Sequence, residues 1–153
     1  MTAGPQIHRL FHALTIFLLA VSIGVVAAPS SHAAMNAQAA AVGDAALSTC
    51  NGTGKELRDC VAGALDRMAE NAPQGSETQR ALRTAAAGVR AAVSKAQAIS
   101  AIAKCQSLIA GALKRVRAMG GGDVLLEGWG REGGLGPVVR VLARAAALIQ
   151  SKG

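Results

Sequence analysis

The sequence predicts an all-α protein: a small helical bundle or helical hairpin with one long helix, straight or bent, a Gly-rich loop and a C-terminal helix. Apolar residues recur at spacings of three and four, no segment alternates long enough to make a convincing strand, and two capping boxes mark helix starts. The 153 residues are enough for one domain. Because the chain is 51% hydrophobic but only 2% aromatic, its core must come mainly from Ala, Leu, Val and Ile.

The N-terminal segment, residues 1–33, is predicted to be a cleaved secretory signal peptide. A short polar start ending in Arg9 precedes an apolar run over 10–28, and small residues follow it. We therefore place the mature start at Ala34 and expect an exported protein, periplasmic or secreted. A retained membrane anchor is the alternative, because a run of about 19 apolar residues can span a bilayer.

Removal of this segment would leave no His, Phe or Tyr, since all three histidines and both phenylalanines precede residue 33 and the chain has no Tyr. Histidine-based acid–base catalysis, histidine metal ligands and an axial histidine to haem are then excluded. We expect no catalytic residue, no metal site and no cofactor. An enzyme would have to rely on carboxylates, Lys or Cys alone.

The first part of the mature chain, residues 34–119, is predicted to be a helical domain. An Ala-rich helix should end near Cys50, before an Asn-Gly turn. Thr53 and Glu56 form a capping box that starts a second helix, which residues 71–73 end. Its apolar stripe consists of Leu57, Cys60, Val61, Ala64, Leu65 and Met68.

A second capping box, Ser76 with Gln79, starts a helix-favouring run as far as Met119 that contains no proline. Unbroken, about 43 residues would span roughly 65 Å, far more than a typical globular helix. We expect either a bend near residues 94–100 or a protruding helix.

The rest of the chain is predicted to be a Gly-rich loop over 120–136 and an amphipathic helix over 137–153. The loop holds the only tryptophan, Trp129, and residues 128–133 match the GxGxxG pattern of dinucleotide-binding turns. That mechanism needs a preceding strand and a following helix within a βαβ unit, so a connector is the better interpretation. The closing helix has an apolar stripe of Val138, Val141, Leu142, Ala145, Leu148 and Ile149.

Three cysteines in an exported chain predict one disulfide and one leftover thiol. On a long helix antiparallel to the second one, Cys105 would lie roughly 25 Å from the level of Cys60, too far for a disulfide. We therefore predict a Cys50–Cys60 bond with Cys105 reduced and buried. A Cys60–Cys105 bond is the alternative if the long helix folds back.

Charge is divided unevenly along the chain, with −3 over residues 34–77 and +9 over 78–153. The carboxylates of the second helix are interpreted as a solvated face, along which Arg80, Arg83 and Arg90 could lie. The basic excess beyond them predicts an anionic partner: membrane headgroups, a cell-wall polymer or an acidic protein. Nucleic acid is not expected, because base-stacking residues are scarce. The candidate partner-binding residues are Lys114, Arg115, Arg117, Trp129, Arg140 and Arg144.

These observations predict a small exported interaction module without catalytic activity, whose basic C-terminal half binds an anionic partner. The alternative is a peripheral membrane protein that inserts its C-terminal amphipathic helix into a lipid surface. A third interpretation is that the positive charge serves only solubility.

Overall fold

The all-α prediction is confirmed by the structure, a computed structural model that describes residues 32–119 and 134–153. Within these ranges the chain forms five helices and no strand. They are α1 (His32–Ser48), α2 (Gly54–Asn71), α3 (Glu77–Ala91), α4 (Lys95–Met119) and α5 (Leu135–Lys152). Most of the predicted signal peptide and most of the Gly-rich loop, Trp129 included, lie outside the described residues.

The helices are arranged as a closed ring in which each helix packs against the next and α5 packs against α1. Consecutive helices are antiparallel: the start of α4 meets the end of α5, where Lys95 Nζ donates to the Gln150 carbonyl at 3.0 Å. Because the number of helices is odd, α1 and α5 run parallel. An ion pair between Asp44 and Arg144, in equivalent parts of α1 and α5, reflects this direction.

The core is aliphatic, as the composition requires. Its largest fully buried side chains are Leu47, Leu57, Leu65, Met68, Leu82, Ile102, Ile109, Leu142, Ile149, Val61, Val89 and Val138. Small residues let the helices approach closely between these side chains. A Cβ on Gly43 would lie 2.3 Å from Met68 Cγ. At this point α1 packs so closely on α2 that there is no room for a side chain at position 43.

The α1–α2 corner, residues 49–53, is closed by the predicted Cys50–Cys60 disulfide, whose Cα atoms lie 5.7 Å apart. Thr53 is the N-cap of α2, as predicted, but its side chain makes no capping hydrogen bond. The prediction that the Thr53 side chain caps this helix is therefore wrong. The helix start is held by the backbone bond from Leu57 N–H to the Thr53 carbonyl and by the covalent bond one turn further on.

The α2–α3 turn contains the second predicted capping box, of which the Ser76 cap is confirmed, whereas the Gln79 side chain bonds the N–H of Gly75 instead of that of Ser76. Ser76 Oγ accepts from the Gln79 N–H at 3.1 Å. The buried Gln79 carboxamide then bonds both sides of the turn: it donates to the Ala69 carbonyl at 3.0 Å and accepts from Gly75 N–H at 2.9 Å. Gln79 thus fastens the end of α2 to the start of α3.

The predicted long helix is broken at residues 92–94, at the edge of the stretch where a bend is expected, and the chain folds back there into a hairpin instead of protruding. Ser94 Oγ accepts from Gln97 N–H at 3.3 Å, and Gln97 Oε1 accepts from Val93 N–H at 3.0 Å. Ser94 and Gln97 therefore match the sequence pattern of a capping box at the start of α4, with the Gln97 side chain bonded to the N–H one residue before Ser94.

Close contact between α3 and α4 makes this hairpin possible. A Cβ on Gly88 would lie 2.8 Å from Ala101 Cβ, closer than side chains normally come. The glycine that interrupts the apolar run is therefore the point where the two helices touch.

Candidate partner-binding surface

The charge division of the sequence becomes a division between helices. Within the described ranges every acidic residue lies on α1, α2 or α3, whereas α4 and α5, which pack side by side, have none. We call the basic residues of these two helices the α4–α5 basic set: Lys95, Lys104, Lys114, Arg115, Arg117, Arg140, Arg144 and Lys152.

Two of the predicted partner-binding residues form ion pairs with other helices of the bundle. Arg115 Nη2 lies 2.6 Å from Glu77 Oε2 of α3, and Arg144 pairs with Asp44 of α1. Both acidic partners are distant in sequence, by 38 and 100 residues, so the charge pattern of the sequence does not reveal these two pairs. Both pairs are solvent-exposed, so each contributes about 0–1 kcal/mol and mainly sets how the helices are oriented.

Lys114 and Arg140 are exposed and make no ion pair with any described residue. Lys104 and Lys152 share both properties, although neither is among the candidate partner-binding residues predicted from the sequence. The side chain of Arg117 and the whole of Trp129 lie outside the described part of the chain. Four cations of the α4–α5 basic set thus remain exposed and without an ion-pair partner in the described ranges.

The carboxylates of α2 form an outward-facing row, as predicted, but only one of the three arginines expected to lie along it does so. Arg90 Nη2 approaches Asp66 Oδ2 at 2.6 Å, and this hydrogen bond together with the charge of Asp66 raises the pKa of Arg90. Asp59 pairs within its own helix with Lys55 at 2.5 Å. Arg80 and Arg83 are exposed and form no ion pair with the described residues.

A groove of about 390 Å³ runs along the outer side of the α3–α4 hairpin. Its floor is made of small side chains and the thiol of Cys105, and its rims carry polar ones. The lining residues are Ala81, Thr84, Ala85, Gly88, Ala91, Ala92, Gln97, Ser100, Ala101, Lys104, Cys105 and Leu108. The sequence did not predict this groove, because it exists only once the long run folds back.

The cysteines fall into the predicted roles, although the reason for the pairing is different. Cys50 and Cys60 are bonded, and Cys105 is free and buried. The long antiparallel helix assumed in excluding Cys105 does not exist; instead Cys105 lies on α4 beneath the groove. Burial raises the pKa of its thiol to about 12, so the thiolate is scarce near neutral pH.

Among the described residues, no three His, Cys, Asp or Glu side chains come close enough together to hold a metal ion. None of the five described helices combines the length and the apolar character needed to cross a membrane. Comparison with protein-family models, curated proteins and solved structures gives no match.

Proposed function

We propose that the protein is an exported, non-catalytic helical module that binds an anionic partner through the α4–α5 basic set. The observation that carries this proposal is that α4 and α5, which pack side by side, together have eight basic residues and no acidic one. Four of those cations are exposed and unpaired in the described ranges, so their charge is available to a partner. Such a surface attracts anions and speeds encounter with them.

Export is supported by the Cys50–Cys60 bond, because such bonds persist mainly in oxidising compartments. The apolar run at residues 10–28 and the small residues after it fit the same proposal. The secreted or periplasmic location remains part of the proposal.

Insertion of α5 into a membrane is disfavoured by its packing. Val138, Leu142 and Ile149, from its apolar stripe, are fully buried in the bundle, so the helix would have to leave the core to insert. If the protein binds lipid, we expect the basic set to contact headgroups from outside, with salt-sensitive affinity.

The test measures binding of the purified protein to three probes: polyglutamate, vesicles containing anionic phosphatidylglycerol, and neutral phosphatidylcholine vesicles. Binding to at least one anionic probe should weaken steeply from low salt to 0.15 M, where charges are screened over about 8 Å. The neutral vesicles should not bind.

The informative variant is Lys114→Glu with Arg140→Glu, since both side chains are exposed and break no ion pair among the described residues. The matched control is Arg67→Glu with Arg83→Glu, which makes the same change in net charge on α2 and α3. The first pair should weaken binding much more than the second. Equal effects would mean that only net charge matters, and no binding at low salt would leave the positive charge with a role in solubility alone.

A further inference from the structure

The α3–α4 groove combines small apolar side chains with one lining cation, Lys104. Among the side chains that the structure describes, two large hydrophobic ones are strongly exposed, Val93 at 83% and Leu108 at 49%. Leu108 lines one end of the groove, and Val93 follows Ala92 at the other end. Of these two residues Leu108 belongs to the lining, so one strongly exposed large apolar side chain lies in the groove and Val93 lies just outside it.

The groove is as long as a short helix. From Gln97 to Leu108 its α4 wall covers eleven steps of 1.5 Å, about 16 Å or three helical turns. The floor between the walls is lined by Ala85, Gly88 and Ala101, whose small side chains leave room for larger ones from outside. This is the form of a surface that accepts the apolar face of an amphipathic helix.

One lining residue of the groove is a cation, Lys104 on the α4 side. Arg80 does not line the groove, but it precedes the lining residue Thr84 by one turn on the same face of α3. Neither cation has an ion-pair partner among the described residues, and no acidic residue lines the groove. Glu77, one turn before the lining residue Ala81 on α3, is engaged by Arg115.

We propose that this groove binds an acidic amphipathic helix of a partner protein, with the helix's apolar side on the small-residue floor and its carboxylates against Arg80 and Lys104. The proposal rests on the proposed function, because it specifies the form of the anionic partner. The groove adds what charge alone does not: a requirement that apolar and acidic residues occupy fixed positions on one helix.

The probe is a fluorescein-labelled synthetic helix of about fourteen residues, long enough to cover the groove, with Leu at positions i, i+3, i+4 and i+7 and Glu on both flanks. One control peptide has Lys in place of Glu. A second has the same composition in an order that puts no two Leu residues on one face. Each peptide carries the label, and the rise in its fluorescence anisotropy on addition of the purified protein measures binding.

The groove is blocked by Ser100→Trp, which introduces a large side chain from an exposed rim position, with Ala41→Trp on exposed α1 as the control. Lys104→Glu reverses the charge on the α4 rim. The acidic amphipathic peptide should bind, and each groove variant should weaken it at least about tenfold while Ala41→Trp leaves it unchanged. Both control peptides should bind at least about tenfold more weakly than the acidic amphipathic one. Circular dichroism and melting temperature check that every variant is folded.

Failure of this inference can be separated from failure of the proposed function. If the reordered peptide binds as well as the amphipathic one, or Ser100→Trp has no effect, the groove is not the site, although polyglutamate binding would still support the basic set. If neither polyglutamate nor the acidic amphipathic peptide binds at low salt, then neither the basic set nor the groove binds an acidic protein. Loss of vesicle binding in Ser100→Trp would assign the groove to lipid, and loss of a concentration-dependent dimer would assign it to a second copy; either result overturns the inference.

Discussion

The α1–α2 corner and the α3–α4 hairpin are both short connections between antiparallel helices, but different interactions stabilise them. Each joins two antiparallel helices through a connection of a few residues. The corner is fastened by a covalent bond between Cys50 and Cys60, and its N-cap threonine makes no side-chain bond. The hairpin has no covalent bond; a serine caps its second helix, and its helices touch at Gly88 and Ala101.

The difference shows that a bundle poor in large side chains can be held by unlike devices at different places. A disulfide acts mainly by restricting the unfolded chain, so it tolerates an imperfect helix start. The hairpin depends on contacts in the folded state, so it should respond more strongly to changes in shape.

The largest expected effect is loss of the disulfide. Replacing Cys50 and Cys60 together by Ala should lower the free energy of unfolding by about 3 kcal/mol, the chain-entropy value for so short a loop. Urea denaturation of the variant and the wild type measures it. Replacing the free thiol at Cys105 supplies a comparison that leaves the bond intact, and a loss under about 1 kcal/mol in the double variant would mean that the corner is held chiefly by packing.

Gly88→Leu should cost about 2 kcal/mol, because the new side chain would force α3 away from Ala101. Gly63→Ala is the matched control: it lies within α2, and a Cβ there meets no atom within 4 Å. That change should stabilise the protein by about 0.5–1 kcal/mol through helix propensity. Thermal unfolding followed by circular dichroism distinguishes the two, and a neutral Gly88→Leu would show that the hairpin can open without cost.

The buried thiol of the hairpin should make stability depend on alkaline pH. Its pKa rises from 9.0 to about 12 on folding, so above pH 9 the unfolded state releases a proton that the folded state keeps. Stability is then lost as the pH rises, by about 1.4 kcal/mol at pH 10. The comparison is the change in unfolding free energy from pH 8 to pH 10 in the wild type and in Cys105→Ala. Equal changes in the two proteins would contradict it.

The smallest effects should come from the two serine caps. Ser76→Ala and Ser94→Ala should each cost about 1 kcal/mol, the usual value of an N-cap. Because the buried Gln79 also fastens the turn that precedes Ser76, the start of α3 has a second support, and the start of α4 at Ser94 should be the more sensitive of the two. Hydrogen exchange of the amides following each serine measures this, and faster exchange after Ser76 than after Ser94 would reverse the comparison.

Helix positions and the disulfide could be predicted from sequence because the signals are local. The stripe from Leu57 to Met68 and the Ser76 cap both depend on residues within one or two turns. The break at residues 92–94 also had a local signal, in Ser94 and Gln97. Without proline or glycine beside it, this signal was weaker than the helix-favouring run around it, and the contact between Gly88 and Ala101 that stabilises the fold-back is tertiary.

The candidate site was less predictable for the same reason. Basic residues can be counted in a sequence, but the partners of Arg115 and Arg144 lie 38 and 100 residues away and meet them only in the folded ring. The groove likewise needs α3 and α4 side by side before Lys104 and Leu108 share a surface. The sequence therefore shows which half of the chain is basic, whereas only the packing shows which of its cations are left without an ion-pair partner among the described residues.

The parallel direction of α1 and α5 has a consequence for engineering this chain. Most domains have neighbouring ends and can be circularly permuted with a short linker. Here the start of α1 at His32 and the end of α5 at Lys152 belong to adjacent helices but lie at opposite ends of the bundle, about 26 Å apart for helices of 17 and 18 residues. A linker joining them must run the length of the bundle and needs at least about eight extended residues. A fusion at the C-terminus, for its part, projects from the end away from the start of α1.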